Sequence, residues 1–174
     1  MELKFKLCSL NDLEKLRLIS EQTFVTAFEK DNDPVDFKNY IDKAFTLEKI
    51  KEELLNSNSN FYFVYQNSKT VGYFKLNVGD AQTEIITDKT IELERIYVLA
   101  HYQGKGLGKC FLDYIKNLAF NKSKKKLWLG VWEHNIAAIR FYEREGFVKF
   151  DTHPYYIGED EQTDWLMGYD LSNL

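Results

Sequence analysis

The stretch LERIYVLAHYQGKGLGK, residues 93–109, runs from a strand pattern through a glycine-rich turn into a helix pattern. The strand pattern starts at residue 91, and apolar residues behind the turn recur at helical spacing. Three glycines stand at alternate positions of the turn, at 104, 106 and 108. A helix N-terminus carries unpaired N–H groups and partial positive charge, and glycine lets the backbone approach a ligand. The pattern therefore predicts a phosphate site, with a glycine-rich turn without a ligand as the alternative.

The spacing of the glycines distinguishes three kinds of phosphate loop. A P-loop needs Ser or Thr after its Gly-Lys pair, and Cys110 stands at that position. A dinucleotide fingerprint needs GxGxxG and an acidic residue about 20 positions further on. Here the spacing is GxGxG, and the downstream region reads KKKLWLG. The third pattern, Q/R-x-x-G-x-G/A, is matched throughout residues 103–108, and it resembles the pyrophosphate loop of the GNAT family of N-acetyltransferases.

The patterns on either side of this stretch predict one mixed α/β domain. Upstream, in order, they read as a strand at 3–7, three helical segments, a loop at 56–60, and a hairpin of strands at 61–66 and 70–78. Downstream they read as a helix, a strand at 125–132, a helix at 135–147, and two strands near 147–152 and 163–171, joined by a loop. Strand–helix–strand units predict parallel crossovers within the sheet.

The composition fits a globular protein and argues against several classes of partner. The 174 residues are 44% hydrophobic and 16% aromatic, which favours a core that contains a sheet. The formal net charge of -4 comes without a long basic tract, so no nucleic-acid partner is expected and cationic partners are weakly favoured. No apolar run approaches about 20 residues, and the N-terminus lacks a signal-peptide core. A cytoplasmic protein without a membrane partner is therefore predicted.

The cysteine and histidine positions predict no metal site. Cys8 and Cys110 are far apart and form no CxxC pair, which supports neither a disulfide framework nor a zinc site. His101, His134 and His153 do not have the spacing of metal ligands. Cys110 follows the glycine turn on the helix, where packing is a simpler interpretation than nucleophilic catalysis.

A second segment strengthens the resemblance to the GNAT family. VWEHNIAAIRFYEREGFVKF, residues 131–150, is similar to the family's second cofactor-binding unit and follows the first in the right order. The resemblance implies one N-acetyltransferase domain over residues 1–174, with a cofactor-binding core at about 91–150. It also implies an α/β GNAT-like fold, with a central mixed, mostly antiparallel sheet, helices on both faces and a parallel, splayed strand pair. The tail YYIGEDEQTDWLM resembles bacterial spermidine/spermine N-acetyltransferases of the protease-synthesis and sporulation-regulator type.

The same resemblance implies acetyl-CoA as co-substrate and no metal. Backbone groups of the strand are expected to contact the pantetheine arm, and the glycine turn the pyrophosphate. The implied cofactor-binding residues are Ile96, Tyr97, Val98, Gln103, Gly104, Lys105, Gly106, Leu107, Gly108, Lys109, Asn135 and Arg144. Tyr142, two helical turns after Asn135, is the implied acid for the leaving thiolate. A tyrosine that merely packs in the core is the alternative.

The reaction also requires a base, because a lysine-like amine has a pKa near ~10.4 and is charged at neutral pH. Alternation along the strand predicts one shared face for four residues: Glu92, Glu94, Ile96 and Val98. Glu94 is the predicted base, acting directly or through a water, and a carboxylate neighbour is expected to raise one of the two pKa values. The alternative is that Glu92, Glu94 or both simply pair with a Lys or Arg.

A polyamine acceptor needs separated carboxylates along a groove, each neutralising one ammonium. The candidate acceptor residues are Glu29, Asp31, Asp33, Asp36, Glu159, Asp160 and Glu161, with Tyr155 and Tyr156 for cation–π contacts. Ordinary solvated surface is the alternative for each of these carboxylates.

The predicted function is acetyl transfer from acetyl-CoA to a small cationic amine, with spermidine or spermine favoured, by direct attack in a ternary complex. One alternative is the same chemistry on a peptide or protein amine. The other is a non-catalytic acyl-CoA-binding regulatory module. A homodimer is compatible with the aromatic content.

Overall fold

A computed structural model describes residues 2–84, 87–157 and 160–174, and these residues form one mixed sheet with α-helices around it. The strands are β1 (Lys4–Leu7), β2 (Ser59–Gln66), β3 (Lys69–Asn77), β4 (Thr90–Val98), β5 (Lys126–Trp132), β6 (Val148–Ile157) and β7 (Asp160–Asp170). The helices are α1 (Leu13–Phe28), α2 (Pro34–Ala44), α3 (Leu47–Leu55), α4 (Leu107–Asn121) and α5 (Ile136–Arg144). None of the helices in these ranges has both the length and the apolar character needed to cross a bilayer.

The sheet has the order β1-β2-β3-β4-β5-β7-β6, and its neighbours are antiparallel except for β4 and β5. The parallel pairing begins at Thr90 opposite Lys126 and ends at Glu92 opposite Trp128. Beyond that point β4 continues along β3 while β5 continues along β7, so the two parallel strands separate. The predicted mixed, mostly antiparallel sheet with a splayed parallel pair is confirmed.

Helices cover both faces of the sheet, as predicted. On one face the buried residues of the α4–α5 core include Tyr62, Val64, Phe74, Leu93, Phe111, Ile115 and Ile139. On the other face the buried residues of the α1–α3 core are Leu16, Ile19, Phe45, Ile50, Phe61, Phe63 and Tyr73. Residues Phe61–Val64 of β2 alternate between the two cores, as do Tyr73 and Phe74 of β3, because side chains of a strand point to opposite faces. Each fully buried apolar side chain contributes roughly 1.5–3 kcal/mol relative to exposure.

Local capping chemistry sets where two of the helices begin. Asp33 accepts hydrogen bonds from the N–H groups of Val35 and Asp36, and Pro34 occupies the first turn of α2. Asn135 caps α5 by accepting from the N–H of Ala138. These caps supply partners for N–H groups that a helix cannot satisfy internally.

Some predicted boundaries were wrong in ways that affect the site. Ser59 and Asn60, predicted as loop, belong to β2. The last two strands extend further towards each other than predicted, so Tyr155 and Tyr156 lie in β6 and Glu161 lies in β7. The β6–β7 hairpin pairs along most of its length, which stabilises it beyond what its mixed polar sequence indicates.

A β-bulge in β4 changes which side chains share a face. Lys75 lies opposite Arg95 and Leu76 opposite Leu93, so Glu94 is the extra residue of β4. Because two residues of the bulged strand oppose one on its neighbour, the alternation shifts there.

The residues on either side of the bulge show the result. Before it, Ile91 and Leu93 belong to the α4–α5 core, and after it Ile96 and Val98 pack against the same core. Glu92 and Glu94 point to the opposite face, where both accept a hydrogen bond from Asn77. The prediction that these two carboxylates share a face with Ile96 and Val98 is therefore wrong.

Candidate active site

A cavity of about 460 Å³ lies where β4 and β5 separate. From the α4–α5 side its lining includes Ile96, Val98, Ala138 and Tyr142. From the α1–α3 side its lining includes Phe24, Tyr40, Tyr155 and Asp164. The cavity thus reaches both faces of the sheet, and a molecule held on one face meets a molecule held on the other at the splay.

The free edge of β4 offers backbone groups to this cavity. The N–H of Leu99 donates to the oxygen of Val71 on β3, at 2.9 Å. Main-chain groups alternate in direction along a strand, so Tyr97 also faces β3, whereas Ile96 and Val98 face the gap towards β5. The oxygen of Val98 accepts from Nε2 of Gln103 at 3.0 Å. An extended ligand therefore finds the Ile96 main chain and the N–H of Val98 available for pairing as an added strand.

The glycine turn presents N–H groups at the start of α4. Gly104 and Gly106 have φ angles of +72° and +76°, in the left-handed region that glycine tolerates best. A Cβ on either residue would meet nothing within 4 Å, so the turn is open on its outer side. The N–H of Cys110 bonds to the oxygen of Gly106, and the preceding helical N–H groups have no carbonyl within the helix to accept them. This geometry suits an anion.

The side chains around the turn divide between core and surface. Leu107 is buried in the α4–α5 core, so any contact it makes with a ligand at the turn runs through its backbone. Lys105 donates to the oxygen of His101, and Lys109 pairs with Asp113 and Glu145. These two lysines lie near the turn, at the edge of the cavity region rather than in its lining. Exposed Arg144 likewise lies outside the lining.

Alanine at Gly106 and at Gly108 should change stability in opposite directions. A Cβ at Gly106 forces an L-residue into the left-handed region, which costs about 1–2 kcal/mol. Gly108 has an ordinary helical backbone, its Cβ would meet the Phe141 ring at 3.5 Å, and alanine is favoured over glycine in a helix by roughly 0.5–1 kcal/mol. Urea unfolding of Gly106→Ala and Gly108→Ala measures both effects, and a shift of the same sign in the two variants would contradict the assigned backbone states.

Asn135 and Tyr142 both line the cavity, on the strand–helix unit that follows β5. The Asn135 side chain is held by the N–H of Ala138, at 3.2 Å. Tyr142 is buried between the rings of Phe141 and Phe147, and burial raises the pKa of its phenol above the ordinary value. The phenol therefore keeps its proton at neutral pH and is able to donate it into the cavity.

Glu92 is satisfied by neutral donors. Its carboxylate accepts from the N–H of Thr83 at 2.9 Å, from the Thr83 hydroxyl at 2.6 Å and from Asn77 at 3.0 Å. Burial raises the pKa of Glu92, these hydrogen bonds oppose the rise, and the nearby Glu94 adds to it. The expectation that a neighbouring carboxylate raises one of the two pKa values agrees in direction, but burial is the main cause.

Glu94 sits in a network of cations. Its carboxylate lies 2.6 Å from Nζ of Lys75 and 3.1 Å from the guanidinium of Arg95, and both cations also contact Glu53. Burial by itself would raise the pKa of Glu94, but Arg95 and Lys75 outweigh it, and the pKa is lowered. Glu94 thus pairs with a Lys and an Arg, as the alternative interpretation of the sequence expected. Its role as the base stays a prediction.

The predicted acceptor carboxylates lie away from the cavity where the structure describes them. Glu29, Asp31, Asp33 and Asp36 are absent from its lining, and Asp33 caps α2. Glu161 accepts from the hydroxyl of exposed Tyr156. Glu159 and the side chain of Asp160 lie outside the described residues. Of the two predicted tyrosines, Tyr155 lines the cavity, and its hydroxyl hydrogen-bonds that of Tyr40.

Asp164 is a cavity residue that the sequence analysis missed. It lies on β7 opposite Trp132 of β5, and a Cβ at Gly130 would come within 3.3 Å of its Oδ2. Burial raises the pKa of Asp164 to about 6, partly opposed by His153. The available signal was its place inside the predicted strand at 163–171, where an aspartate is unusual.

The fold agrees with comparisons to known proteins. Residues 18–147 match the model of the Acetyltransferase (GNAT) family. An uncharacterized N-acetyltransferase encoded in the pepI 3' region of Lactobacillus delbrueckii subsp. lactis is 39% identical, over 91% of this chain and 92% of its own length. Spermidine N(1)-acetyltransferase of Thermoplasma acidophilum is 25% identical, over 87% of this chain and 92% of its own length.

A solved structure shares the fold. The PaiA N-acetyltransferase of Thermoplasma acidophilum, crystallised with coenzyme A, superposes with a TM-score of 0.77 at 21% identity, covering 98% of this chain and 99% of its own. The splayed sheet, the open glycine turn and these relatives define an N-acetyltransferase that uses acetyl-CoA. The chain belongs to the GNAT family of acetyltransferases.

Proposed function

We propose that the enzyme acetylates a primary amine of a polyamine such as spermidine or spermine, by direct attack on acetyl-CoA in a ternary complex. The observation that carries this proposal is the charge of the cavity lining. Three carboxylates line it, on Glu92, Glu94 and Asp164. Arg95 and Lys75 neutralise Glu94 together with Glu53, so Glu92 and Asp164 give the lining its acidic character. Aromatic rings of Phe24, Phe28, Tyr40 and Tyr155 complete the acceptor side. Carboxylates and aromatic faces together suit an extended cation with apolar spacers.

The acceptor class is supported by the relatives as well. One relative along most of the chain is named a spermidine N(1)-acetyltransferase. At 25% identity, this relative supports a polyamine as the class of acceptor, and it does not identify the residues that bind the acceptor. The carboxylates proposed here for the acceptor come from β4 and β7 rather than from the acidic segments predicted from the sequence.

We assign acetyl-CoA to the α4–α5 side of the cavity. The pantetheine arm pairs with the main chain of Ile96 and Val98. Tyr97 lies between them in sequence, but its side chain packs against the α1–α3 core, so it contributes no direct contact. The pyrophosphate binds at the glycine turn, through N–H groups of residues 103–109, and the open space outside Gly104 and Gly106 fits such a group. Asn135 orients the arm near the sulfur. The cationic side chains of Lys109 and Arg144, on the surface, attract the phosphates of the cofactor.

The roles in the reaction follow from charge and protonation. Tyr142, with its proton retained at neutral pH, protonates the leaving thiolate. Glu94 is the base proposed from the sequence, but its two cations already stabilise its ionised form and lower its affinity for a proton. In its present contacts the negative charge of Glu94 is balanced by Lys75 and Arg95.

Thiol release from acetyl-CoA should be fastest with polyamines. The test compares spermidine, spermine, lysine, a short peptide with a free N-terminus and an aminoglycoside at one acetyl-CoA concentration. We expect kcat/KM for spermidine or spermine to exceed that for lysine, the peptide and the aminoglycoside, because a polyamine combines several ammonium groups with an extended, flexible apolar chain that suits an acidic and aromatic lining.

The opposite outcomes are informative. A clear preference for the peptide would replace the polyamine proposal with acetylation of a peptide or protein amine. Tight binding of coenzyme A without thiol release for any amine would leave a binding module. Calorimetry with coenzyme A, run on the same protein sample, separates that case from misfolded protein.

A further inference from the structure

Asp164 occupies the acceptor side of the splay. On β7, Trp165, Met167 and Tyr169 pack in or against the α4–α5 core. Residues of a strand alternate between faces, so Asp164 and Leu166 point to the opposite face, towards α1 and α2. Both line the cavity. Its carboxylate therefore lies on the face where an acceptor enters, beside the gap between β4 and β5.

Gly130 keeps this carboxylate open to the cavity. Gly130 lies on β5 opposite Leu166, is exposed, and itself lines the cavity. A Cβ there would come within 3.3 Å of Oδ2 of Asp164, so any larger side chain would crowd the carboxylate. The absence of a side chain at Gly130 leaves a path from the Asp164 carboxylate to the gap beside β4.

Among the charged and titratable groups around Asp164, His153 is the one that favours its ionised form, and no Lys or Arg in the described residues pairs with it. His153 of β6 is its cross-strand neighbour, and Nδ1 of His153 pairs with Glu84. Tyr155 of β6 faces it, with its hydroxyl held by Tyr40 of α2. Within residues 2–84, 87–157 and 160–174, no Lys or Arg forms an ion pair with Asp164 and no side chain donates a hydrogen bond to it.

The charged residues of β4 across the opening are Glu92, Glu94 and Arg95. Arg95 forms ion pairs with Glu53 and Glu94. Glu92 accepts hydrogen bonds from Thr83 and Asn77. Asp164 is half-buried, and desolvation of a carboxylate that has no cationic partner is costly, a cost that a cationic ligand offsets. Of the three lining carboxylates, Asp164 is the one whose partner is missing.

We propose that Asp164 binds the ammonium of the acceptor and takes its proton, acting as the catalytic base. This proposal rests on the proposed function, since it requires a primary amine as the acceptor. A carboxylate with a pKa near 6 is ionised at neutral pH and is a better proton acceptor than one held by two cations.

The protons and electron pairs of the reaction balance with these groups. The ammonium gives one proton to the Asp164 carboxylate, and the lone pair of the free amine attacks the thioester carbon. The C–N bond forms and the C–S bond breaks, with its electron pair leaving on sulfur. Tyr142 protonates the sulfur and is restored by the second proton of the nitrogen. The first proton passes from Asp164 to solvent, so the products are an amide, a thiol and one released proton.

The isosteric change Asp164→Asn tests the role. In wild-type enzyme kcat/KM for the best amine should rise with pH through about 6, as Asp164 ionises. The variant should lose about 10²-fold or more at neutral pH. Its remaining activity should have no step near pH 6 and should keep rising towards the pKa of the amine, since only amine already deprotonated in solution reacts.

Three comparisons keep the result specific. Asp164→Glu retains a carboxylate and should recover part of the rate and a titration step, whereas a purely structural role would not restore the step. Exposed Asp151→Asn on β6 is the matched control and should behave as wild type. The affinity for coenzyme A should be the same in all variants.

Each contrary outcome points to a different failure. A wild-type rate and pH step in Asp164→Asn would overturn the proposal, as would loss of the step in Glu94→Gln alone. No thiol release by the wild-type enzyme with any amine would reject the proposed function, and the base role with it.

Discussion

Replacing Tyr142 with phenylalanine should lower kcat by about 10²-fold, because one positioned acid typically contributes at least that much. The aromatic ring keeps its contacts with Phe141 and Phe147, and only the hydroxyl is lost. Burial holds the phenol protonated, so the wild-type enzyme has a donor for the leaving thiolate across the neutral range. The KM for acetyl-CoA should change little, since the hydroxyl acts on sulfur only as the bond breaks.

Steady-state kinetics with the best amine, with acetyl-CoA varied, measures this split between kcat and KM. Tyr114→Phe is the matched control, because Tyr114 stacks on Phe5 at the far side of the α4–α5 core and does not line the cavity. An unchanged kcat in Tyr142→Phe would remove its role as the acid. A loss confined to acetyl-CoA affinity would make Tyr142 a packing residue.

The architecture was predictable because its signals are local. The glycine turn between a strand and a helix, and the caps at Asp33 and Asn135, depend on residues a few positions apart. The order of strands and helices follows from periodicity, the strand–helix–strand unit predicts the parallel pair, and the splay of that pair was implied by the family resemblance. The family resemblance implied Asn135 and Tyr142, and both line the cavity, while their roles toward the cofactor stay predictions.

The acceptor side was less predictable because it depends on register between distant strands. The bulge at Glu94 is a property of how β4 pairs with β3, and strict alternation along β4 does not reveal it. The two cations that hold Glu94 include Lys75 from β3, and the second anion, Glu53, comes from α3. No spacing within residues 91–98 points to these partners.

Asp164 illustrates the same limit on a different strand. Its own segment was predicted as a strand, but the segment lacks polar–apolar alternation, so the sequence does not show which face Asp164 points to. That face is set by the core that Trp165 and Met167 join. Its access to the cavity depends on Gly130, which is far away in sequence and adjacent in the sheet. The acidic residues that sequence composition favoured are conspicuous because they cluster, and clustering is typical of solvated surface.

Lys75→Met should cost about 3–5 kcal/mol of unfolding free energy, which is the usual cost of breaking a buried ion pair from one side. Lys75 is 5% exposed and bridges Glu53 at 3.3 Å and Glu94 at 2.6 Å. With Arg95 these residues balance two positive charges against two negative ones. Methionine fills similar space, so the loss comes from the surplus buried carboxylate rather than from a cavity.

The double variant Lys75→Met/Glu53→Gln distinguishes charge imbalance from damaged packing. It leaves one cation, Arg95, against one anion, Glu94, and should recover most of the lost stability in urea unfolding. The single variant should also regain stability as the pH falls, because its surplus carboxylate has a raised pKa and becomes neutral on protonation. Lys38→Met, at an exposed pair with Asp42, should change stability by only about 0.3–0.5 kcal/mol. A double variant less stable than the single one would show that each ion pair stabilises the fold by itself, and that the balance of buried charge is not the controlling factor.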